Sequence, residues 1–179
     1  MVSMSNPQSI RAAETLSLHA LSVGDGILAL CAAPGSGGNY KEDLRLIQDW
    51  RPSIVITLTT RVEHVILGIE TLGTDIQSLG SRWFHMPVED YQVPTGEMAD
   101  RWPDVSTLAR RALAGGGRVL VHCRGGCGRS GMAALRLMID SGEAPSLALA
   151  RLRAIRPCAI ETDDQMAWAW GPRRKAPPA

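Results

Sequence analysis

The chain reads as an α/β domain with a central, mainly parallel twisted sheet covered by helices on both faces. Three observations predict this. Short apolar or β-branched runs alternate with stretches whose apolar residues recur at helical spacing. Gly and Pro clusters punctuate the runs. A glycine-rich loop lies between the end of one apolar run and the start of a helical stripe, at the carboxyl end of a central strand, where open α/β sheets bind ligands.

The elements follow in order. Leu16 to Val23 and Gly26 to Ala32 read as two short strands around the Gly24-Asp25-Gly26 turn. The segment from Ala33 to Gly38 is a loop, and Tyr40 to Trp50 carries a helical stripe at Leu44, Ile47 and Trp50. Ser53 to Leu58 is a strand centred on the β-branched Ile54, Val55, Ile56 and Thr57. Val62 to Ile69 and Thr71 to Leu79 are helical pieces broken at Gly68 and Gly73, followed by a strand from Arg82 to Met86. After Pro94 the chain turns helical, with Val105, Leu108, Ala109, Ala112 and Leu113 on one face; Pro103 either starts that helix or kinks it. Arg118 to Val121 is a buried strand, and Gly131 to Ser141 a helix with Met132, Leu135, Met138 and Ile139 at helical spacing. Pro145 to Ile155 and Asp163 to Trp170 complete the helices. The expected organisation is a weakly ordered N-terminal segment (1–15), one domain (16–170) and a basic, Pro-rich tail (171–179) of the kind that stays solvated.

Composition narrows the class. With 179 residues, 45% of them apolar, the chain fits one domain whose core needs no disulfide scaffold. A net charge of +1 argues against a general nucleic-acid surface. Four cysteines point to a reducing compartment rather than a disulfide framework. No apolar run approaches the roughly 20 residues that span a bilayer, and no basic segment leads into an apolar core at the N-terminus. The expected setting is the cytoplasm, with no membrane partner.

The loop after the last strand carries the chemistry. Val121-His122-Cys123-Arg124-Gly125-Gly126-Cys127-Gly128-Arg129-Ser130-Gly131 places a cysteine and an arginine at the two ends of a loop containing three glycines. Backbone N–H groups at a helix N-terminus lack intrahelical partners and face the positive end of its dipole, so a phosphate-like dianion is favoured there. Gly125, Gly126 and Gly128 let the backbone curl with its N–H groups inward. The same field favours a thiolate at Cys123. Arg129 offers two parallel N–H bonds to phosphoryl oxygens, a fork that lysine lacks. The Ser130 hydroxyl is placed to reach back to the Cys123 sulfur. A thiolate nucleophile splits the very high barrier of phosphate-ester hydrolysis into two smaller ones.

His122-Cys123 through Arg129-Ser130 resembles the Cys-x5-Arg-Ser/Thr signature of cysteine-dependent protein tyrosine and dual-specificity phosphatases. Two further segments extend the likeness. Phe84 to Pro94 resembles the general-acid loop of the kinase-associated phosphatase group, with Asp90 after Pro87-Val88-Glu89 and Pro94 four residues later. Arg156 to Gln165 resembles that group's Ala-Ile-Glu/Gln-Thr segment, here Ala159-Ile160-Glu161-Thr162. The three motifs lie in the group's order and cover roughly residues 27 to 168. The resemblance implies a dual-specificity-phosphatase-like sheet and no cofactor or metal. It further implies a substrate that is a phosphorylated protein or small phosphomonoester, and a cysteinyl-phosphate intermediate. The phosphate would be held by Arg124, Gly125, Gly126, Cys127, Gly128 and Arg129.

Other readings of the loop remain. Rhodanese-type sulfur transfer uses a cysteine loop that is typically shorter than the five residues separating Cys123 from Arg129. A nucleotide-binding loop would end in Gly-Lys-Ser/Thr, and no such Lys exists. His122, Cys123 and Cys127 make a poor tetrahedral zinc site without a second ligand pair. A phosphate-binding module without turnover would keep Arg129 and the loop but lack the joint set Cys123, Arg129, Ser130 and Asp90.

Glu89 and Asp90 are adjacent, so in an extended loop only one faces the nucleophile. Asp90 matches the acid position and lies between Pro87 and Pro94, with Glu89 as the fallback and a solvated acidic turn as the bland alternative. His122 reads as a buried histidine that holds the loop. Gln165 either positions the hydrolytic water, as similar glutamines do in related enzymes, or caps a helix. Cys31 and Cys127 are each candidate disulfide partners of Cys123, with Cys31 equally readable as a small buried hydrophobe. Outside the tryptophans only Phe84, Tyr40 and Tyr91 are aromatic, too few for a deep slot selective for phosphotyrosine alone. Arg124 adds positive charge at the rim. The expected substrate is phosphotyrosine, with tolerance for other phosphoresidues or small phosphomonoesters.

Overall fold

The computed structural model describes residues 15–172. Residues 1–14 and 173–179, which hold most of the expected N-terminal segment and basic tail, lie outside the described residues. Five strands form one sheet in the order β1-β2-β5-β3-β4. They are β1 (His19–Val23), β2 (Gly26–Cys31), β3 (Ile54–Thr57), β4 (Arg82–His85) and β5 (Arg118–His122). Only β1 runs antiparallel to its neighbour, joined to β2 through Gly24, which takes φ 59°; the other pairings are parallel. Among the described residues seven helices accompany the strands. They are α1 (Tyr40–Trp50), α2 (Arg61–Leu67), α3 (Leu72–Ser78), α4 (Gly96–Ala114), α5 (Gly128–Asp140), α6 (Pro145–Ile155) and α7 (Asp163–Trp170).

Successive strand residues point to opposite faces, and both faces are apolar, as a sheet covered on both sides requires. Leu28, Leu30, Ile54, Ile56, Val119 and Val121 pack against α4, α5, α6 and α7 through residues such as Val105, Leu113, Met132, Leu152 and Ala169. Ala29, Cys31, Val55 and Leu120 face the other way and meet Ile47 of α1, Ile69, and Leu72 and Ile76 of α3. None of the described helices is long and apolar enough to cross a membrane.

The structure shifts three expected boundaries. β1 starts at His19 rather than Leu16, because Leu16 is instead pinned where its N–H donates to Asp43 Oδ1 at 3.3 Å. Helix α4 runs through Pro103 from Gly96 without restarting there, and the Pro103 carbonyl accepts from Thr107 Oγ1 at 2.8 Å. Helix α5 begins at Gly128, not Gly131, so Arg129 and Ser130 belong to its first turn. The sharp turn after β5 is therefore complete by Cys127.

Candidate active site

β5 ends at His122, and the chain curls from Cys123 to Cys127 before α5 carries it away. Cys123 is 3% exposed, and its Sγ lies 3.3 Å from Ser130 Oγ in the first turn of α5, within hydrogen-bond range. Among the described residues the N–H groups of Gly125, Gly126 and Cys127 donate to no backbone or side-chain acceptor. Only Gly126 of the loop's three glycines has positive φ, 70°, and a Cβ there would sit 2.5 Å from the Cys31 carbonyl carbon. A Cβ at Gly128 would displace the exposed Glu161 carboxylate and press on Gln165 Oε1 at 3.0 Å, whereas one at Gly125 would meet nothing within 4 Å.

Arg129 is buried and held by a residue that the sequence reading overlooked. Its Nη1 and Nη2 donate to Glu63 Oε2 and Oε1, each at 2.8 Å, and Nη1 also donates to the Val88 carbonyl at 2.8 Å. Burial alone would favour the neutral form of Glu63, but hydrogen bonds from Arg129 and the Thr60 backbone outweigh it and hold the carboxyl below its usual range. For Arg129, burial opposes the charge; Glu63 first, then Cys123 and Asp90, more than restore it, so its pKa is raised. Nη2 lies 3.4 Å from Asp90 Oδ1, while the buried Nε has no acceptor among the described residues. The Nε–Nη2 edge of the guanidinium is thus the one left for an oxyanion.

Glu63 has a second partnership at the start of α2. Thr60 Oγ1 accepts from the Glu63 N–H at 3.3 Å, and Glu63 Oε2 accepts from the Thr60 N–H at 2.8 Å. This reciprocal capping box, Thr-x-x-Glu, was visible in the sequence as a helix start. A buried arginine in need of a carboxylate was the missing half of the signal.

Asp90 is half-exposed but faces Arg129, whereas Glu89 makes no polar side-chain contact among the described residues. Tyr91, next to it, has φ 61° and donates its N–H to Asp90 Oδ1 at 3.1 Å. Gln165 is fully buried. Its Oε1 accepts from the Glu161 N–H at 3.0 Å, its Nε2 donates to the Gln92 carbonyl at 3.4 Å, and a Cβ on Gly128 would lie 3.0 Å from Oε1. It therefore bridges the Asp90 loop and the glycine loop. The helix cap is Thr162, whose Oγ1 accepts from the Gln165 N–H at 3.1 Å.

His122 is fully buried, with Nε2 at 2.7 Å from Thr57 Oγ1, and Trp83 Nε1 donates to that same oxygen at 2.8 Å. The Thr57 hydroxyl, already accepting from Trp83, keeps one lone pair and its own proton for the contact with Nε2. No acceptor satisfies Nδ1 with ordinary geometry, although the Cys123 backbone favours the protonated ring. Burial dominates and pushes the pKa down to about 3, so the ring is neutral. The Arg124 side chain is exposed and makes no polar contact among the described residues.

The cysteines correct two expectations. Cys127 is not paired with Cys123; it forms a disulfide with Cys158, with Cα atoms 5.2 Å apart. A disulfide therefore exists where none was expected, and the 31-residue separation gave no hint of it. Cys31 and Cys123 are free and buried, the first at the end of β2 and the second just after the neighbouring β5. Burial, then the Cys123 charge, raises the Cys31 pKa, so Cys31 stays a thiol.

A strand-loop-helix cradle with a buried thiol, a serine hydroxyl on it and a carboxylate-anchored arginine defines a cysteine-dependent phosphatase of the protein-tyrosine and dual-specificity class. Residues 35–168 match the family described as PTP-SAK, Swiss Army Knife protein, DSP-PTPase phosphatase domain, and the chain belongs to that family. Cyclin-dependent kinase inhibitor 3 of Mus musculus is 30% identical over 145 residues, 77% of this chain and 67% of the relative. Kinase associated phosphatase, solved with its catalytic-site cysteine changed to serine, superposes with a TM-score of 0.78 at 23% identity, over 88% of this chain and 94% of the other. Tk-PTP in its active form gives 0.62 at 25% identity, over 78% and 86%. A protein tyrosine phosphatase (putative) from Leishmania major gives 0.66 at 19% identity, over 90% and 100%. The sulfur-transfer, redox and non-turnover readings are accordingly not favoured.

Proposed function

We propose that this phosphatase domain, residues 16–170, acts on phosphotyrosine and tolerates phosphoserine, phosphothreonine or small phosphomonoesters, with the roles that follow. The observation that carries the reading is Ser130 Oγ at 3.3 Å from the Cys123 Sγ, in the first turn of the same helix that holds buried Arg129, whose Nε has no acceptor among the described residues. In the first step the Cys123 thiolate attacks phosphorus. The S–P bond forms, the ester P–O bond breaks, and Asp90 gives its proton to the leaving oxygen. The inward N–H groups of Gly125, Gly126 and Cys127 and the free edge of Arg129 hold the phosphoryl oxygens throughout. In the second step Asp90, now a carboxylate, takes a proton from water as the water attacks phosphorus and the S–P bond breaks. Ser130 then donates to the departing thiolate, and Gln165, fixed by Glu161 and Gln92, orients the water.

Exposed Arg124 supplies rim charge, and half-exposed Tyr91, beside Asp90, offers a wall rather than a deep slot; both support a broad substrate range. A phosphorylated protein is the favoured partner, because the mouse relative is described as an inhibitor of a kinase and its solved counterpart as kinase associated. The free thiols of Cys31 and Cys123 suit a cytoplasmic setting, whereas the Cys127–Cys158 disulfide is of a kind more common in oxidising compartments. Hydrolysis of an aryl phosphate and of phosphotyrosine, phosphothreonine and phosphoserine peptides tests the reading. Turnover of the aryl ester and of phosphotyrosine is expected in wild type. Activity surviving in Cys123→Ser would sink it.

A further inference from the structure

The loop between Cys123 and α5 presents its carbonyls outward, and each has a donor behind it. The Arg124 carbonyl accepts from the Ala33 N–H at 3.1 Å. The Cys127 carbonyl accepts from the N–H groups of Gly131 and Ile160, at 2.9 and 3.2 Å. The two carbonyls between them are bound by one side chain, with Arg156 Nη2 donating to Gly125 O and Nε to Gly126 O, each at 3.0 Å. In a trans peptide the C=O and the following N–H point in opposite directions. Fixing the carbonyls of Gly125 and Gly126 from outside therefore aims the N–H groups of Gly126 and Cys127 at the interior of the cradle. Two residues on, Cys158 ties the same segment covalently to Cys127.

We propose that Arg156 and Cys158 are positioning residues for the phosphate loop: a clamp on its outer face that keeps its N–H groups turned toward the phosphoryl group. This rests on the reading of the loop as a phosphate cradle. Neither residue touches substrate; both act through the orientation of two peptide planes. The planar fork of arginine spans two adjacent carbonyls, which a lysine ammonium on one flexible stem does not. The segment is itself held against strain, since Ile160, a β-branched residue, has φ 69° and its N–H is one of the two donors to Cys127 O. A dithiol reductant opens the covalent half of the clamp. Its two thiols close to a disulfide while the Cys127–Cys158 bond breaks, and each cysteine sulfur takes a proton.

The test compares Arg156→Ala, Arg156→Lys, Cys158→Ser and Arg153→Ala with wild type. Arg153 is the control, because it binds the Ala159 and Ile160 carbonyls of the same segment, at 3.1 and 3.5 Å, but no loop carbonyl. Binding of inorganic phosphate is measured by calorimetry, and kcat and KM with an aryl phosphate are measured separately. Arg156→Ala is expected to weaken phosphate binding and lower kcat/KM about tenfold, less than outright removal of an anion-binding donor. Arg156→Lys should stay near the alanine value, and Arg153→Ala near wild type. Cys158→Ser should give a smaller loss, about threefold, reproduced by dithiothreitol on wild type and non-additive with Arg156→Ala because both hold one element. Full recovery in Arg156→Lys would reduce Arg156 to a charge and overturn the clamp, as would an equal loss in Arg153→Ala or unchanged phosphate binding in Arg156→Ala. Phosphate binding that shows the expected pattern without any ester turnover would overturn the enzymatic reading and leave the clamp standing.

Discussion

The loop carrying Cys123 and the loop carrying Asp90 meet at one site but are held in different ways. In the first, Cys123 and Gly126 are buried, every carbonyl from Arg124 to Cys127 accepts a hydrogen bond, Cys127 is cross-linked, and the side chain of Arg129, just beyond it in α5, is 1% exposed. The second is fixed at its root, where Met86 and Val88 donate to the Thr57 and Leu58 carbonyls at 2.9 and 3.0 Å. Its tip touches the α7 region only through long bonds, Thr162 Oγ1 to Tyr91 O at 3.5 Å and Gln165 Nε2 to Gln92 O at 3.4 Å, and the Asp90 side chain is 53% exposed. The contrast matches the division of labour proposed for them. Anion binding and nucleophilic attack need a rigid, dry frame, whereas proton donation needs a carboxyl that can reach leaving groups of different shape.

Mutations should separate the two loops by magnitude. Cys123→Ser is expected to cost the most, on the order of 10⁴-fold or more in kcat, the scale on which removal of a nucleophile acts. Phosphate affinity, which belongs to the cradle, should survive within a few-fold, so loss of both would break the separation. Asp90→Asn comes next, at about 10²- to 10⁴-fold with an alkyl phosphate and much less with an aryl phosphate that leaves readily. Equal losses with the two esters would argue against the acid role. Glu63→Ala strands a buried guanidinium and should destabilise the domain by roughly 3–5 kcal/mol. Thermal unfolding should then shift down by roughly 6–20 °C, whereas Asp90→Asn, in the exposed loop, should leave the midpoint nearly unchanged.

Stability should also depend on pH, through histidines on both sides of the site. His64, His85 and His122 all have pKa values lowered below 6.5, mainly by burial. The unfolded chain therefore binds more protons below pH 6.5, and stability is lost as pH falls from there toward the folded-state values, at about 1.4 kcal/mol per pH unit for each histidine that stays neutral in the fold. Glu63, whose pKa is also lowered, adds its own loss as pH falls below about 4.5. Denaturant titrations between pH 8 and pH 4 would reveal this. A flat profile would mean that these histidines titrate alike in both states.

The frame of this contrast was legible in the sequence, and much of what stiffens it was not. Strand and helix positions followed from apolar periodicity, and the Cys123–Ser130 stretch announced its chemistry through local spacing. Asp90, which the structure sets beside Arg129, was singled out because it sits between prolines in a motif. Glu63 was hidden: in one dimension it is a capping residue, and its tie to Arg129 across 66 positions exists only once the sheet brings α2 and α5 together. Cys158 and Arg156 were hidden for the same reason, since their partners in the loop lie about 30 residues away. The early start of α5 escaped because Gly128 and Ser130 are weak helix formers that the loop geometry overrules.

The capping box at Thr60 and Glu63 has a consequence for how the molecule breathes. A seven-residue helix with Val62, Val65 and Ile66 turned to solvent would fray quickly on its own merits. Because the carboxylate that closes its first turn also anchors Arg129 in α5, opening one releases the other. Amide hydrogen exchange in α2 should therefore follow the slow, sub-global opening of α5 rather than the fast fluctuation of a surface helix.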